Sequence, residues 1–224
     1  SSHKGFSPQD GADRMVERAR AARQADLDSL FVGDHHVTPF PYFQNSVILA
    51  RMLNEWGEKP FGALYLLPLW HPIILAEQIA TLASLSRAPF ILQCGLGDDR
   101  QGRAMGIDMK HKVGRFVSCL EIMRALWQGR SVEENRFWNI KAEQIAPLPI
   151  HEVEVWIGSV VEKAIKRTAK LGDGWLASPG LTPDQANQAI KEYKRYCDLF
   201  DRKPLCAIRR DVYVGSTSAE AKKI

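Results

Sequence analysis

Asp34, His35 and His36 end the run "LFVGDHH", residues 30–36, in which apolar and small residues lead directly into an acid and two adjacent imidazoles. Imidazole titrates near neutral pH, so a histidine here suits a general base or a donor to an anionic ring, with Asp34 fixing the local hydrogen bonds. The bland alternative is an acid capping a loop and two histidines covering core side chains. Neighbours on extended backbone point to opposite sides, so at most one histidine faces a given pocket and the other is structural. Asp and His are also metal ligands, but adjacent ligands do not converge from several directions. The other histidines are scattered and no H-x-H is visible, so no metal site is expected.

Polar and glycine-rich residues also follow the other apolar runs: Pro68-Leu69-Trp70-His71-Pro72, Gly95-Leu96-Gly97-Asp98-Asp99, Gly158-Ser159 and Ser178-Pro179-Gly180. Gly158, Ser159 and Val160 lead into a helical pattern, where free N–H groups suit a phosphate. The same serine also reads as an ordinary N-cap. "GLGDD" is not a G-x-G-x-x-G fingerprint and reads equally as a tight loop, and Cys94 before it reads as a buried thiol.

The elements that must carry these residues alternate in period. Strands are expected at Ser29–Gly33, Phe61–Leu67, Phe90–Cys94, Val153–Ile157, Gly174–Ala177 and Ala207–Val214. Helices are expected at about Asp10–Ala25 and Ser46–Trp56, with further helical stripes through Leu75/Ile79/Leu82, Phe116/Leu120/Met123/Trp127 and Ala186/Ile190/Tyr193/Cys197/Phe200. Pro72 and Pro183 suit first helical turns. The first three strands start roughly 30 residues apart, one strand–helix–strand unit each, which predicts a parallel sheet with crossover helices. A doubly wound sheet and a barrel both fit this alternation, and in either the ligand sits at the carboxyl ends of the strands. Residues 131–148 break the rhythm as a hairpin or excursion. A (β/α)8 barrel drawn on this chain lacks its first and last strands.

The 224 residues are 45% apolar and 25% charged, with a net charge of +4 from interspersed Lys and Arg, which gives no basic footprint for nucleic acid. No linker or low-complexity block divides the chain, so one domain over 1–224 is expected. The four cysteines have no C-x-x-C spacing, and no signal peptide or long apolar span is visible, so a cytoplasmic setting without membrane contact is expected.

Taken in order, "DSLFVGDHHVTPF", "LLPLWHPIILAEQIATLASLS", "FILQCGLGDDRQGRAMGIDM", "EIMRALWQG" and "VWIGSVVEKAIKRTAKLGDGWLAS" resemble the bacterial-luciferase-like flavin monooxygenases, a family of (β/α)8 TIM barrels. The resemblance implies that His35 lies beside the flavin ring as catalytic base, supported by Asp34. It implies that the strand through Ala63, Leu64 and Tyr65 lies against the ring, often with a non-prolyl cis peptide. It also implies that Cys94, Gly95, Gly97 and Asp98 border the cofactor, and that Ser159, with Gly158 and Val160, meets its phosphate. Two departures stand out: "SRAPF" replaces the family's S-G-G-R, and Gly95 falls near a position where some members have a phosphate arginine, leaving Arg100 and Arg103 as substitutes.

Three functions follow from the resemblance. The first is a monooxygenase using molecular oxygen and reduced FMN, delivered by an NAD(P)H-dependent flavin reductase, to oxidise a small organic substrate. The second is a hydride-transferring oxidoreductase of the 8-hydroxy-5-deazaflavin coenzyme, in which Asp98 resembles an acid used by some members. The third is a non-catalytic flavin-binding member. The family further implies a homodimer or larger assembly.

Overall fold

The computed structural model describes residues 7–222. It packs as two compact units, one up to Val155 and one from Trp156. The division falls inside a strand, so no change of composition marks it.

In the first unit, helix α1 (Pro8–Gln24) starts with proline in its first turn and with Ser7 Oγ accepting from the Asp10 N–H at 3.1 Å. Strand β1 (Leu30–Val32), helix α2 (Asn45–Trp56), strand β2 (Phe61–Leu66), helix α3 (Pro72–Ser84) and strand β3 (Phe90–Gly95) follow. The three strands are parallel with β2 in the middle: Phe61 is level with Leu30 and Phe90, and Leu64 with Gln93. Trp56, fully buried, donates from Nε1 to the carbonyls of Lys59 and Pro60 at 3.0 and 3.2 Å. It thereby ties the end of α2 to the start of β2, and burying such a side chain stabilises by roughly 1.5–3 kcal/mol.

Alternation gives β2 two distinct faces. Tyr65 is fully buried on the helix side, where its hydroxyl is 2.8 Å from Ser46 Oγ of α2, and Ser46 in turn reaches Gln78 of α3 at 2.8 Å. Gly62, Leu64 and Leu66 take the opposite face. A Cβ at Gly62 would lie 1.9 Å from the Ile91 carbonyl oxygen and 2.9 Å from Phe31 Cε1, so only glycine lets the strands close there.

Beyond β3 come helix α4 (Asp99–Ala104), a 3-10 turn (Met109–His111) and helix α5 (Lys112–Trp127), whose Trp127 Nε1 donates to the Ala76 carbonyl of α3 at 3.0 Å. The excursion at 131–148 contains the antiparallel hairpin β4 (Val132–Glu134) and β5 (Ile140–Ala142). Glu134 closes its tip by accepting from the N–H groups of Arg136, Phe137 and Trp138, and the Arg115 guanidinium of α5 sits 3.9 Å above the Trp138 ring.

The second unit repeats the pattern with parallel strands β6 (Glu154–Gly158), β7 (Gly174–Ala177) and β8 (Cys206–Ile208) and helices α6 (Glu162–Leu171), α7 (Pro183–Leu199) and α8 (Ser218–Ala221). Trp175, Tyr193 and Cys197 form its core, and α7 opens on a capping box between Thr182 and Gln185.

The structure corrects four local expectations. The last strand stops at Ile208, because Val212, Tyr213 and Val214 stay exposed and β-propensity needs a covering surface. The peptides through Ala63, Leu64 and Tyr65 are trans, and β2 pairs with β3 without a break from Phe61 to Leu66; the cis bond among the described residues is Ala146–Pro147. "GLGDD" is the entrance to α4 and not merely a loop. Val161, not Ser159, is the N-cap of α6.

Gly62→Ala is expected to cost about 2–4 kcal/mol by forcing two strands apart. Urea unfolding followed by circular dichroism measures it, and an unchanged midpoint would contradict the β2–β3 register.

Candidate active site

The polar residues of the first unit gather where β1 and β2 end. Asp34, only 7% exposed, turns one carboxylate oxygen, Oδ2, toward two donors: the Leu66 backbone N–H at 2.9 Å and Trp70 Nε1 at 2.8 Å. Its other oxygen lies 3.0 Å from His36 Nε2, without the alignment of a hydrogen bond. The buried His36 ring packs edge-on against Trp70 at 5.5 Å between centroids. Of the two histidines, His36 is the buried one.

His35 remains half-buried. Its ring is 5.5 Å from that of Tyr42, and its Nε2 is 3.4 Å from a terminal nitrogen of Arg100. A guanidinium only donates, so Nε2 is the acceptor in this contact and the ring proton is assigned to Nδ1. Arg100 also donates to the carbonyls of Val37 at 2.7 Å and His36 at 3.3 Å. Tyr42 covers Gly33, where an added Cβ would meet its hydroxyl oxygen at 2.2 Å. His35 therefore shares Tyr42 with the face of the sheet that carries Leu64.

That face is low and apolar. Leu64 is half-buried, level with Gln93 of β3. At Gly95 a Cβ would press on Leu66 Cδ2 at 2.9 Å and lie 3.8 Å from Leu64 Cδ1. Gly97 has φ +71, which favours glycine, and a Cβ there would sit 3.4 Å from Leu69. Ala63, Tyr65 and Cys94 are fully buried, and Cys94 is level with Tyr65, on the helix side of the sheet. Burial pushes the Tyr65 hydroxyl well above its ordinary pKa, Ser46 opposing and Asp34 adding to the shift. None of the four cysteines forms a disulfide.

Asp98 caps α4, its Oδ1 accepting from the Gln101 N–H at 2.8 Å and its Oδ2 from Gln101 Nε2 at 2.8 Å. These bonds, the backbone one foremost, hold its carboxyl below the usual carboxylate range. The cap is thus at full strength above the unfolded carboxylate pKa and is lost as pH falls through the lowered value. Arg103 is exposed and borders a surface recess with Asp99, Asp108 and Lys112.

In the second unit Gly158 ends β6 and Ser159 is buried just beyond it. Thr168 Oγ1 donates to Ser159 Oγ at 2.9 Å, and Trp175 Nε1 donates to the Ser159 carbonyl at 2.9 Å. The Ser159 hydroxyl proton is left for another acceptor. Val160 is exposed, and no side chain caps the N-terminus of α6.

Sequence reasoning placed Trp70 after a strand without a partner and gave no individual role to Tyr42 or Gln101. The spacing D-x-x-Q at 98–101 is an N-cap signal that marks Gln101; nothing local marks Trp70 as the partner of a residue 36 positions earlier. A separate groove of about 550 Å³ between α2 and α3, lined by Ser46, Trp70, Ile74 and Gln78, lies on the helix side of β2. Among the described residues no group of three or more His, Cys, Asp or Glu gathers to hold a metal, and no helix is long and apolar enough to cross a membrane.

The family profile described as luciferase-like monooxygenase matches residues 2–224. The chain belongs to that family. Among luciferase-like relatives it is 23% identical over 192 residues to an F420-dependent glucose-6-phosphate dehydrogenase of Nakamurella multipartita, covering 81% of this chain and 56% of the relative. It is 20% identical over 220 residues to the oxygenase component of a flavin-dependent trigonelline monooxygenase of Acinetobacter baylyi, covering 94% and 61%. The chain thus spans little more than half the length of the curated relatives it matches. The oxygenating constituent of 3,6-diketocamphane monooxygenase of Pseudomonas putida, solved with FMN, superposes with a TM-score of 0.84 at 19% identity, over 99% of this chain and 68% of that one.

Removing the Asp34 carboxylate leaves two buried donors unpaired, so Asp34→Ala is expected to lower stability by about 3 kcal/mol and Trp70→Phe by about 1 kcal/mol. A double-mutant cycle in urea should return a coupling of roughly 1 kcal/mol. Strict additivity would deny the bond.

Proposed function

We propose that this chain belongs to an oxidoreductase that lays a flavin-type tricyclic ring on the Leu64 face of β2, with His35 handling a proton at the ring's edge. The observation that carries this reading is the division of labour between adjacent histidines. His36 is buried against Trp70, whereas His35 is half-buried beside Tyr42, whose hydroxyl covers Gly33 just past β1. The residues fit such a group. A planar ring needs a low apolar platform, which Leu64 and Gly95 provide, and polar groups at its rim, which His35 and Gln93 provide. In the second unit Ser159 and Gly158 are assigned to a phosphate.

When bound, reduced FMN would supply the reactivity toward molecular oxygen. The protein's own residues do the rest. Leu64 orients the ring, Tyr42 shields His35 from water, Arg100 holds the imidazole tautomer with Nε2 as acceptor, and Asp34 fixes the strand ends around it. In this reading the whole protein forms a single (β/α)8 barrel domain in a cytoplasmic homodimer or larger assembly. It oxidises a small organic substrate and is served by an NAD(P)H-dependent reductase, as the name "oxygenase component" of the trigonelline relative suggests.

A second reading keeps the site and exchanges the cofactor for the 8-hydroxy-5-deazaflavin coenzyme, with hydride transfer in place of oxygen chemistry. The F420-dependent relative favours it. The engagement of both Asp98 oxygens with Gln101 makes Asp98 a poor free acid in that reaction.

Absorbance titration with FMN and with the deazaflavin, each followed by anaerobic reduction and mixing with oxygen, separates the readings. FMN binding with rapid reoxidation supports the first, and deazaflavin binding without it the second. His35→Ala should keep the affinity for the bound cofactor and slow turnover by about 10²–10⁴-fold; unchanged turnover would remove His35 from the mechanism. Ser159→Ala should weaken cofactor binding by about tenfold, the value of one hydrogen bond to a charged group, and unaltered affinity would remove Ser159 from the site.

A further inference from the structure

Gln101 is 2% exposed, too buried for a surface amide and too polar for a core side chain. Its oxygen accepts from the His36 backbone N–H at 2.7 Å, and its Nε2 donates to Asp98 Oδ2 at 2.8 Å. A backbone N–H only donates and an ionised carboxylate only accepts, so these two partners fix which way the amide points. Gln101 is therefore a polar spacer of defined direction between the cap of α4 and the backbone of the histidine segment.

The residue after that segment shows why a spacer is needed. Val37 has φ +48, in the left-handed region where a β-branched side chain is strained by about 1–3 kcal/mol. Hydrogen bonds flank it on both sides: Gln101 accepts from the N–H of His36, and Arg100 donates to the carbonyls of His36 and Val37. Arg100 and Gln101 are consecutive in α4, so one short helix grips the turn with two side chains.

We infer that Gln101 is a positioning residue for His35: by fixing the backbone at His36 and holding Val37 in its left-handed turn, it sets the direction in which the His35 imidazole leaves the backbone beyond β1. This rests on the reading of His35 as the proton-handling group.

Three variants test it. Gln101→Met removes the acceptor. Gln101→Glu keeps an acceptor for His36 but sets two carboxylates against each other. Asp98→Asn combined with Gln101→Glu restores the alternation, because the asparagine oxygen can accept the backbone N–H of residue 101 while its amide donates to the new glutamate. In ¹⁵N-labelled protein without cofactor, hydrogen exchange at the His36 amide should speed up by about tenfold or more in both single variants and return to within about threefold of wild type in the pair. The ¹⁵N signals of the His35 ring should move and recover in step. With cofactor, kcat should fall by about 10–100-fold in the single Gln101 variants at unchanged cofactor affinity.

Unaltered His36 exchange and ring signals in Gln101→Met, or a pair no better than Gln101→Glu alone, would overturn the inference. If the methionine variant does not fold, the comparison of Gln101→Glu with the pair decides the matter. A wild-type protein that turns over with neither cofactor overturns the reading of the site, and the exchange and ring signals then decide the role of Gln101 without it.

Discussion

A buried carboxylate that draws two N–H donors onto a single oxygen organises the first unit. Asp34 sits just past the end of β1, yet its donors belong to the last residue of β2 and to Trp70 beyond it. Burying a charge is costly unless hydrogen bonds replace the lost water, so Asp34 is stable only where those donors converge. The ends of two parallel strands are thereby fixed to each other. One histidine is buried against Trp70, and the other is left half-buried beside Tyr42 and Arg100.

Around that constraint the remaining features supply one another's needs. Glycines at 62 and 95 let neighbouring strands and side chains close to a low surface. The helix side of β2 is filled by Tyr65 and its bonds to Ser46, which stiffens the strand from behind. The short helix α4 then approaches from β3 and grips the histidine segment through consecutive side chains. In the second unit Ser159 is held in a comparable way, with Thr168 and Trp175 donating to its two oxygens.

Much of the scaffold was legible because its signals are local. Periodicity located the strands at Phe61, Phe90 and Gly174 and the helices opened by Pro72 and Pro183. Polar residues after apolar runs marked the strand ends, and the expectation that His35 and His36 point different ways matches their burial, His36 buried and His35 half-buried. What escaped depends on long-range meeting. The Asp34–Trp70 bond, the Tyr42 cover over Gly33 and the Gln101–His36 bond join residues whose pairing no spacing encodes. Cys94, which reads from the sequence as a buried thiol, is fully buried and level with Tyr65 on the helix side of the sheet. Val212–Val214 has strand-like residues without a covering surface, so propensity alone misled there.

The central claim is spatial: a planar cofactor belongs on the Leu64 face, beside His35 and across the strand from the α2–α3 groove. A crystal structure of the protein soaked with oxidised FMN or the deazaflavin tests this most directly. The account predicts density for a tricyclic ring against Leu64 with the His35 imidazole at its edge. Ring density confined to the groove between α2 and α3, or a His35 turned away from the bound ring, would contradict it.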